Sequence, residues 1–66
     1  MTKVYKTIEM VCASPEGLKK AVSEGVKEVN SKEGNVEKAT VQNIEAIVKD
    51  GEVVDWHVTM KFLISS

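Results

Sequence analysis

The feature that most constrains this chain is the dipeptide Asp50-Gly51, which separates two long segments of alternating apolar and polar residues. Asp-Gly in this position is typical of a two-residue β-hairpin turn, because both central residues must adopt positive φ. The pattern therefore predicts a hairpin with a strand over residues 36–49 before the turn and another strand after it. Counting outward from the turn pairs His57 with Ile44. It pairs Lys38 with Leu63, or with Phe62 if the second strand carries one extra residue.

The last strand holds the only tryptophan and the only histidine of the chain, Trp56 and His57, as neighbours. Adjacent residues of a strand point to opposite faces of the sheet. Trp56 shares its face with an apolar row, and His57 shares the other face with a polar row. We therefore expect Trp56 to pack under the helix and His57 to point away from it. The apolar row is Val54, Trp56, Val58, Met60, Phe62 and Ile64.

A helix is expected between a first strand over residues 3–12 and the hairpin. Ser14 is the candidate N-cap and Pro15 suits the first helical position. Gly25 lies inside the apolar stripe of this helix, where it costs about 1 kcal/mol relative to alanine, so a close contact between helix and sheet is predicted. Gly34 is expected to end the helix. The apolar stripe consists of Leu18, Ala21, Val22, Gly25, Val26 and Val29.

The order of elements predicts an α+β fold of the β-α-β-β type. One helix would cover one face of a three-stranded antiparallel sheet, as a single domain over residues 1–66. The apolar residues of the second strand change phase near Gln42 and Asn43, which predicts a bulge or a bend there. The other face of the sheet stays uncovered, and a half-covered sheet with long strands favours contacts between subunits.

Length and composition limit how the chain can be stabilised and what it can bind. A domain of 66 residues has a marginal core, and its single cysteine, Cys12, cannot form an internal disulfide, so we expect oligomerisation. The net charge of −1, with both signs interspersed, argues against nucleic-acid binding. The sequence shows no long apolar run and no signal-peptide pattern, so no membrane partner and a cytoplasmic location are expected. No arrangement of catalytic residues is visible, and an enzyme is not expected.

The opening segment, VYKTIEMVCASPEGLKKAV, resembles the first strand and helix start of the dodecin family. The order of elements, the chain length and the terminal hairpin also resemble that family. The resemblance implies a hollow homododecamer of cubic symmetry in which each sheet wraps its helix. It also implies that a flavin, either riboflavin or FMN, is held between symmetry-related subunits for storage rather than catalysis.

The same resemblance identifies candidate ligand-binding residues. The position of the family's flavin-stacking tryptophan is Lys38 here, and the position of its ring-binding glutamine is His57. Gln42 is the third candidate ligand-binding residue. The departures at Lys38 and His57 indicate an altered flavin site, and Lys38 could instead meet an anion such as a phosphate.

Two alternatives to flavin storage remain open from the sequence. Some dodecins that lack the flavin tryptophan are calcium-binding, and acidic residues crowd the hairpin end of this chain, although without EF-hand spacing. These residues are Glu45, Asp50, Glu52 and Asp55. The other alternative is a structural or interaction module with no small ligand.

Overall fold

A computed structural model describes residues 1–65 of the chain and confirms the expected α+β architecture. Its elements are β1 (Tyr5–Ser14), α1 (Leu18–Glu33), β2 (Asn35–Lys49) and β3 (Glu52–Ser65). The three strands form one antiparallel sheet in the order β1-β3-β2, with α1 on one face. No helix within residues 1–65 is both long and apolar enough to cross a membrane.

The hairpin between β2 and β3 forms at the predicted turn. Asp50 has φ of 52° and Gly51 has φ of 77°, as a two-residue turn with two positive φ angles requires. Lys49 pairs with Glu52 directly beside the turn. The twist of such a turn matches the twist of the flanking strands, so the two longest strands of the chain start in a defined register.

Three register shifts interrupt the pairing of β2 with β3. The shift between Val41 and Asn43 leaves Gln42 as the extra residue, which confirms the predicted bulge. A second shift lies between Val36 and Lys38. The third leaves Val54 as the extra residue of β3, because Ile47 pairs with Asp55 whereas Val48 pairs with Val53.

Because of the bulge at Val54, the observed partner of His57 differs from the predicted one, whereas Lys38 has the predicted partner Leu63. His57 pairs with Glu45 rather than with Ile44, so that prediction is wrong. The extra residue at Val54 moves the partner of His57 by one position. The extra residue Gln42 in β2 then shifts the register back by one position, so the pairs from Val41 to Lys38 follow the predicted register.

The predicted N-cap is also wrong, because α1 begins four residues after Ser14. Ser14 is the last residue of β1 and is buried, and its Oγ accepts a hydrogen bond from the backbone N–H of Glu16 at 3.2 Å. This local bond stabilises the turn after β1. Serine hydroxyls stabilise turns in this way as well as helix N-termini. The residue before the helix is Gly17, and no side chain caps the first turn.

The core lies between α1 and one face of β3. Among residues 1–65, six apolar side chains are buried: Ala21, Val29, Val58, Met60, Phe62 and Ile64. Gly25 brings α1 close to the sheet, because a Cβ atom placed there would lie 2.5 Å from Cys12 Sγ and 3.1 Å from Cys12 Cβ. The predicted close contact at Gly25 is thereby confirmed. Partial burial removes water from the Cys12 thiol and raises its pKa above the usual value, because the thiolate is less well solvated.

Trp56 shares the face of the core residues but is only partly buried, so its predicted place in the buried core is wrong. It pairs with Ser14 and Ala46, at the point where β1 ends and the chain turns toward α1. The helix is about 24 Å long by its residue count, whereas the molecule extends 54 Å. The hairpin end therefore extends beyond the helix and exposes apolar side chains, namely Ile44, Ile47, Val48, Val53 and Val54.

We expect Gly25→Ala to destabilise the folded chain despite the higher helix propensity of alanine. The new methyl group would overlap Cys12 Sγ, and overpacking of a core typically costs about 1–3 kcal/mol. In a Cys12→Ala background the sulfur is gone, and the cost of Gly25→Ala should fall by at least about 1 kcal/mol. Urea unfolding of the four proteins of this double-mutant cycle measures the coupling. Equal costs of Gly25→Ala in both backgrounds would contradict the contact.

Candidate functional site

The candidate site lies on the sheet face that α1 does not cover, which we name the outer face. In β3 the buried residues are even-numbered between Val58 and Ile64, so the outer face carries the odd-numbered ones. Directly paired residues of neighbouring strands share a face, so the pairing assigns the residues of β1 and β2. From β3 the outer face takes Asp55, His57, Thr59, Lys61 and Leu63, flanked by Thr7, Glu9, Val11 and Ala13 of β1 and by Lys38, Thr40, Asn43, Glu45 and Ile47 of β2.

Lys38 is exposed on the outer face immediately after the first register shift of β2. Its β3 partner is Leu63, and Lys61 lies two residues before that partner. Within residues 1–65, neither Lys38 nor Lys61 forms an ion pair. The two ammonium groups therefore form a cationic end of the outer face whose charge is available to a ligand or to another chain.

His57 is held by the carboxylate of Asp55. His57 Nε2 lies 3.2 Å from Asp55 Oδ2, and Asp55 Oδ1 accepts the backbone N–H of Trp56 at 3.0 Å. An ionised carboxylate only accepts hydrogen bonds, so Nε2 carries the proton in this pair and Nδ1 is the remaining acceptor of the neutral ring. His57 thus presents an oriented imidazole on the outer face.

Sequence reasoning missed Asp55 as the residue that orients His57. The sequence pattern places Asp55 in the polar row of the last strand with His57 and among the acidic residues of the hairpin end, but it predicts no bond between the two side chains. The spacing of two residues along a strand was the available signal, because it places both side chains on one face. The cross-strand partners of His57 are Ala13 on β1 and Glu45 on β2, so a second carboxylate lies on the adjacent strand.

The structure does not bring the three predicted ligand-binding residues together within one chain. Lys38 pairs with Leu63, which lies six residues from His57 along β3, as the hairpin register predicted. This separation is roughly 20 Å at the rise of a β-strand. Gln42 is exposed at the bulge between them. A flavin ring system could contact Lys38 or His57 of one chain but not both.

Two surface depressions within residues 1–65 lie away from these residues. One of about 400 Å³ runs between β1 and α1 and is lined by residues such as Met10, Cys12 and Gly25. Another, of about 260 Å³, lies where Tyr5, Glu33 and Ile64 meet. Neither depression is lined by Lys38, Gln42 or His57. The outer face is an open sheet surface in a single chain, and a second surface is needed to enclose a ligand on it.

Calcium binding receives no support from the acidic residues near the hairpin. Among residues 1–65, no three histidine, cysteine, aspartate or glutamate side chains are close enough together to hold a metal ion. Calcium requires six to eight oxygen ligands. The carboxylate of Asp55, the acidic group nearest to a candidate residue, is already bonded to His57 and to the backbone of Trp56.

Comparison with known proteins relates the whole chain to one family. The family model of dodecin matches residues 4–64. Dodecin from Streptomyces davaonensis has a TM-score of 0.92 at 26% identity, with 100% of this chain and 97% of that chain covered. Dodecin from Streptomyces coelicolor has a TM-score of 0.89 at 25% identity, with coverages of 97% and 91%. No curated protein matches the chain.

A third solved structure supports the fold alone. The tt0972 protein from Thermus thermophilus has a TM-score of 0.89 at 23% identity, with 98% of this chain and 96% of that chain covered. The fold is therefore shared with solved structures that are identical to this chain at about a quarter of the residues.

Proposed function

The chain belongs to the dodecin family, and from that premise we propose that it is a homododecameric binding protein that stores a flavin-type ligand between its subunits. The observation that carries this proposal is the position of Lys38 and His57 on one face, six β3 residues apart. A ligand that contacts both must therefore lie between two chains. The site is completed by assembly, and binding is lost on disassembly.

The exposed surface of the single chain supports assembly. Its radius of gyration is 13.6 Å, whereas a compact domain of this length has about 11 Å. The difference comes from the hairpin, whose exposed apolar residues have no cover within the chain. Exposed apolar groups of this kind mark sites of protein contact, and association would supply the burial that a 66-residue core lacks.

The residue at position 38 changes what the site can bind. An aromatic side chain that stacks on a flat ring contributes about 1–3 kcal/mol per ring, and lysine cannot supply this. The ammonium group of Lys38 instead donates up to three hydrogen bonds and attracts anions. We therefore propose that the site holds a phosphorylated flavin, FMN, in preference to riboflavin, with the phosphate near Lys38.

His57 supplies the directional contact in this proposal. Its ring is fixed by Asp55, and its Nδ1 accepts a hydrogen bond from the ligand. A glutamine amide would offer both a donor and an acceptor, so the histidine makes fewer contacts with the edge of a flavin ring. The site binds and orients its ligand, and we assign no catalytic role to any residue.

We expect the purified protein to be a dodecamer with little folded monomer. Twelve chains of 7.3 kDa make an assembly of about 88 kDa. Light scattering coupled to size exclusion at micromolar concentration measures this mass, and circular dichroism reports folding on the same samples. A folded species near 7.3 kDa would contradict the proposal.

Replacing Lys38 and His57 by the residues of the family pattern should increase flavin affinity. We expect Lys38→Trp with His57→Gln to raise the affinity for riboflavin by at least tenfold, about 1.4 kcal/mol, because the stacking contact is restored. The gain for FMN should be smaller, because the same change removes the ammonium group proposed to bind the phosphate. Quenching of flavin fluorescence during titration measures both dissociation constants. Equal affinity of the native protein and the double variant, each assembled, would show that the missing stack does not limit binding.

The preference for a phosphorylated flavin is tested with a variant that removes only the charge of Lys38. We expect Lys38→Met to weaken FMN binding by about tenfold, typical of a lost charge-assisted hydrogen bond, and to leave riboflavin binding unchanged. Lys27→Met, on the exposed face of α1, is the matched control and should change neither. An equal loss for both flavins would refute the phosphate contact. Absence of binding to either flavin would favour the structural module.

A further inference from the structure

The turn that joins β2 to β3 places a chemically labile dipeptide at an exposed end of the molecule. Asp50 and Gly51 are both exposed, and within residues 1–65 the Asp50 carboxylate forms no ion pair. The backbone N–H of Gly51 donates no hydrogen bond to any of these residues. A Cβ atom built on Gly51 would meet nothing beyond its chain neighbours within 4 Å, so no other group screens its backbone nitrogen.

An aspartate followed by a glycine can rearrange with water as the only reactant. The nitrogen of the glycine attacks Cγ of the aspartate, the new C–N bond closes a five-membered succinimide ring, and the carboxyl oxygen leaves as water with the amide proton. A second water molecule then opens the ring. Attack at the side-chain carbonyl restores aspartate. Attack at the main-chain carbonyl breaks the original peptide bond, and the chain then runs through Cγ as isoaspartate.

We propose that Asp50-Gly51 is a site of spontaneous isoaspartate formation, and that the reaction proceeds when the end of the hairpin opens. Glycine favours the ring closure because no side chain hinders the approach of its nitrogen. The proposal does not depend on the proposed ligand, because neither residue belongs to the candidate site.

The closed turn holds the reacting atoms apart. The φ angles of 52° at Asp50 and 77° at Gly51 define a type I′ turn, in which ψ of the first residue is about 30°. At that angle, tetrahedral geometry at Cα places the Gly51 nitrogen nearly trans to the Asp50 Cβ, whereas attack on Cγ needs the two atoms nearly eclipsed. Rotation about ψ into the reactive position removes the turn and separates the Lys49–Glu52 pair beside it.

The end of the hairpin can open as a small unit. Only two pairs, Lys49–Glu52 and Val48–Val53, lie between the turn and the bulge at Val54. The bulge interrupts the ladder, so these pairs gain little from the rest of the sheet. The four side chains are exposed in the closed hairpin, so opening costs little buried apolar surface.

Asp55, the other aspartate of the chain, provides an internal comparison. Its carboxylate accepts the backbone N–H of Trp56, the residue whose nitrogen would attack. Trp56 pairs with Ser14 on one side and with Ala46 on the other. Ring closure at Asp55 therefore requires the middle strand of the sheet to separate from both neighbours, which costs more than opening the two terminal pairs.

The product does not fit the turn that the hairpin needs. Isoaspartate adds one methylene group to the main chain, so the connection is no longer two standard residues with positive φ. Because the turn sets the register in which β2 and β3 begin to pair, the reaction slowly loosens the end of the hairpin.

Ageing of the purified, assembled protein at neutral pH tests the site. The reaction does not change the mass, so isoaspartyl methyltransferase with a labelled methyl donor marks the product and a peptide map locates it. We expect the label at position 50 and not at position 55. Label at position 55 in preference to position 50 would overturn the assignment.

A synthetic peptide of residues 46–54 gives the rate in the absence of the fold. The chemistry is far slower than opening and closing, so the rate in the protein follows the fraction of chains whose hairpin end is open. We expect the protein to react about tenfold more slowly than the peptide. A rate equal to that of the peptide would refute protection by the turn. Absence of label at position 50 after about ten half-times of the peptide would refute the site.

A reversible cross-link tests whether opening controls the reaction. Val48 and Val53 form the pair next to the hydrogen-bonded pair at the turn, and such pairs have Cα atoms about 4.5 Å apart, within the range of a disulfide. In a Cys12→Ala background, Val48→Cys with Val53→Cys should therefore form a disulfide across the hairpin, confirmed by thiol titration. We expect the oxidised protein to form isoaspartate at least about tenfold more slowly than the same protein after reduction.

A variant that weakens the same pair should have the opposite effect. Glycine is unfavourable within a strand, so Val53→Gly should raise the rate at position 50 toward that of the peptide. Val4→Gly, at an exposed residue before β1, is the matched control and should leave the rate unchanged. Equal rates in the oxidised and reduced forms, or a Val53→Gly protein that reacts no faster than Val4→Gly, would overturn control by hairpin opening.

Discussion

The pairing of β2 with β3 determines where every candidate residue lies. It starts at the Asp50-Gly51 turn, and three register shifts then decide which side chains face α1 and which face outward. Because side chains alternate along a strand, a single uncompensated shift would move Lys38 to the core side of the sheet. The bulges keep the apolar row of β3 under the helix and keep both Lys38 and His57 outside.

The helix covers only part of the sheet, and this mismatch of lengths explains why the chain favours association. Gly25 lets α1 approach β1 and β3 closely, and the core-facing residues of β3 are buried in a single chain, namely Val58, Met60, Phe62 and Ile64. The hairpin end lies beyond the helix and exposes apolar side chains on an elongated molecule. These apolar groups have no cover within the single chain.

The outer face combines the two properties that a site between subunits needs. Asp55 fixes the ring of His57, so one hydrogen-bonding group is oriented before any partner arrives. Lys38 lies at the other end of the face and forms no ion pair within residues 1–65, so its ammonium group can attract an anion.

The sequence by itself determined the element order, the hairpin turn, the Gln42 bulge, the close contact at Gly25 and the distance between Lys38 and His57, because these follow from periodicity and turn chemistry. Only the tertiary structure decided three points. Ser14 is the last residue of β1 and not the N-cap of α1, and its hydroxyl accepts the backbone N–H of Glu16 in the turn between them. Trp56 is partly exposed, because α1 begins too late to cover it. His57 pairs with Glu45 and bonds to Asp55, because a bulge at Val54 depends on packing that periodicity does not encode.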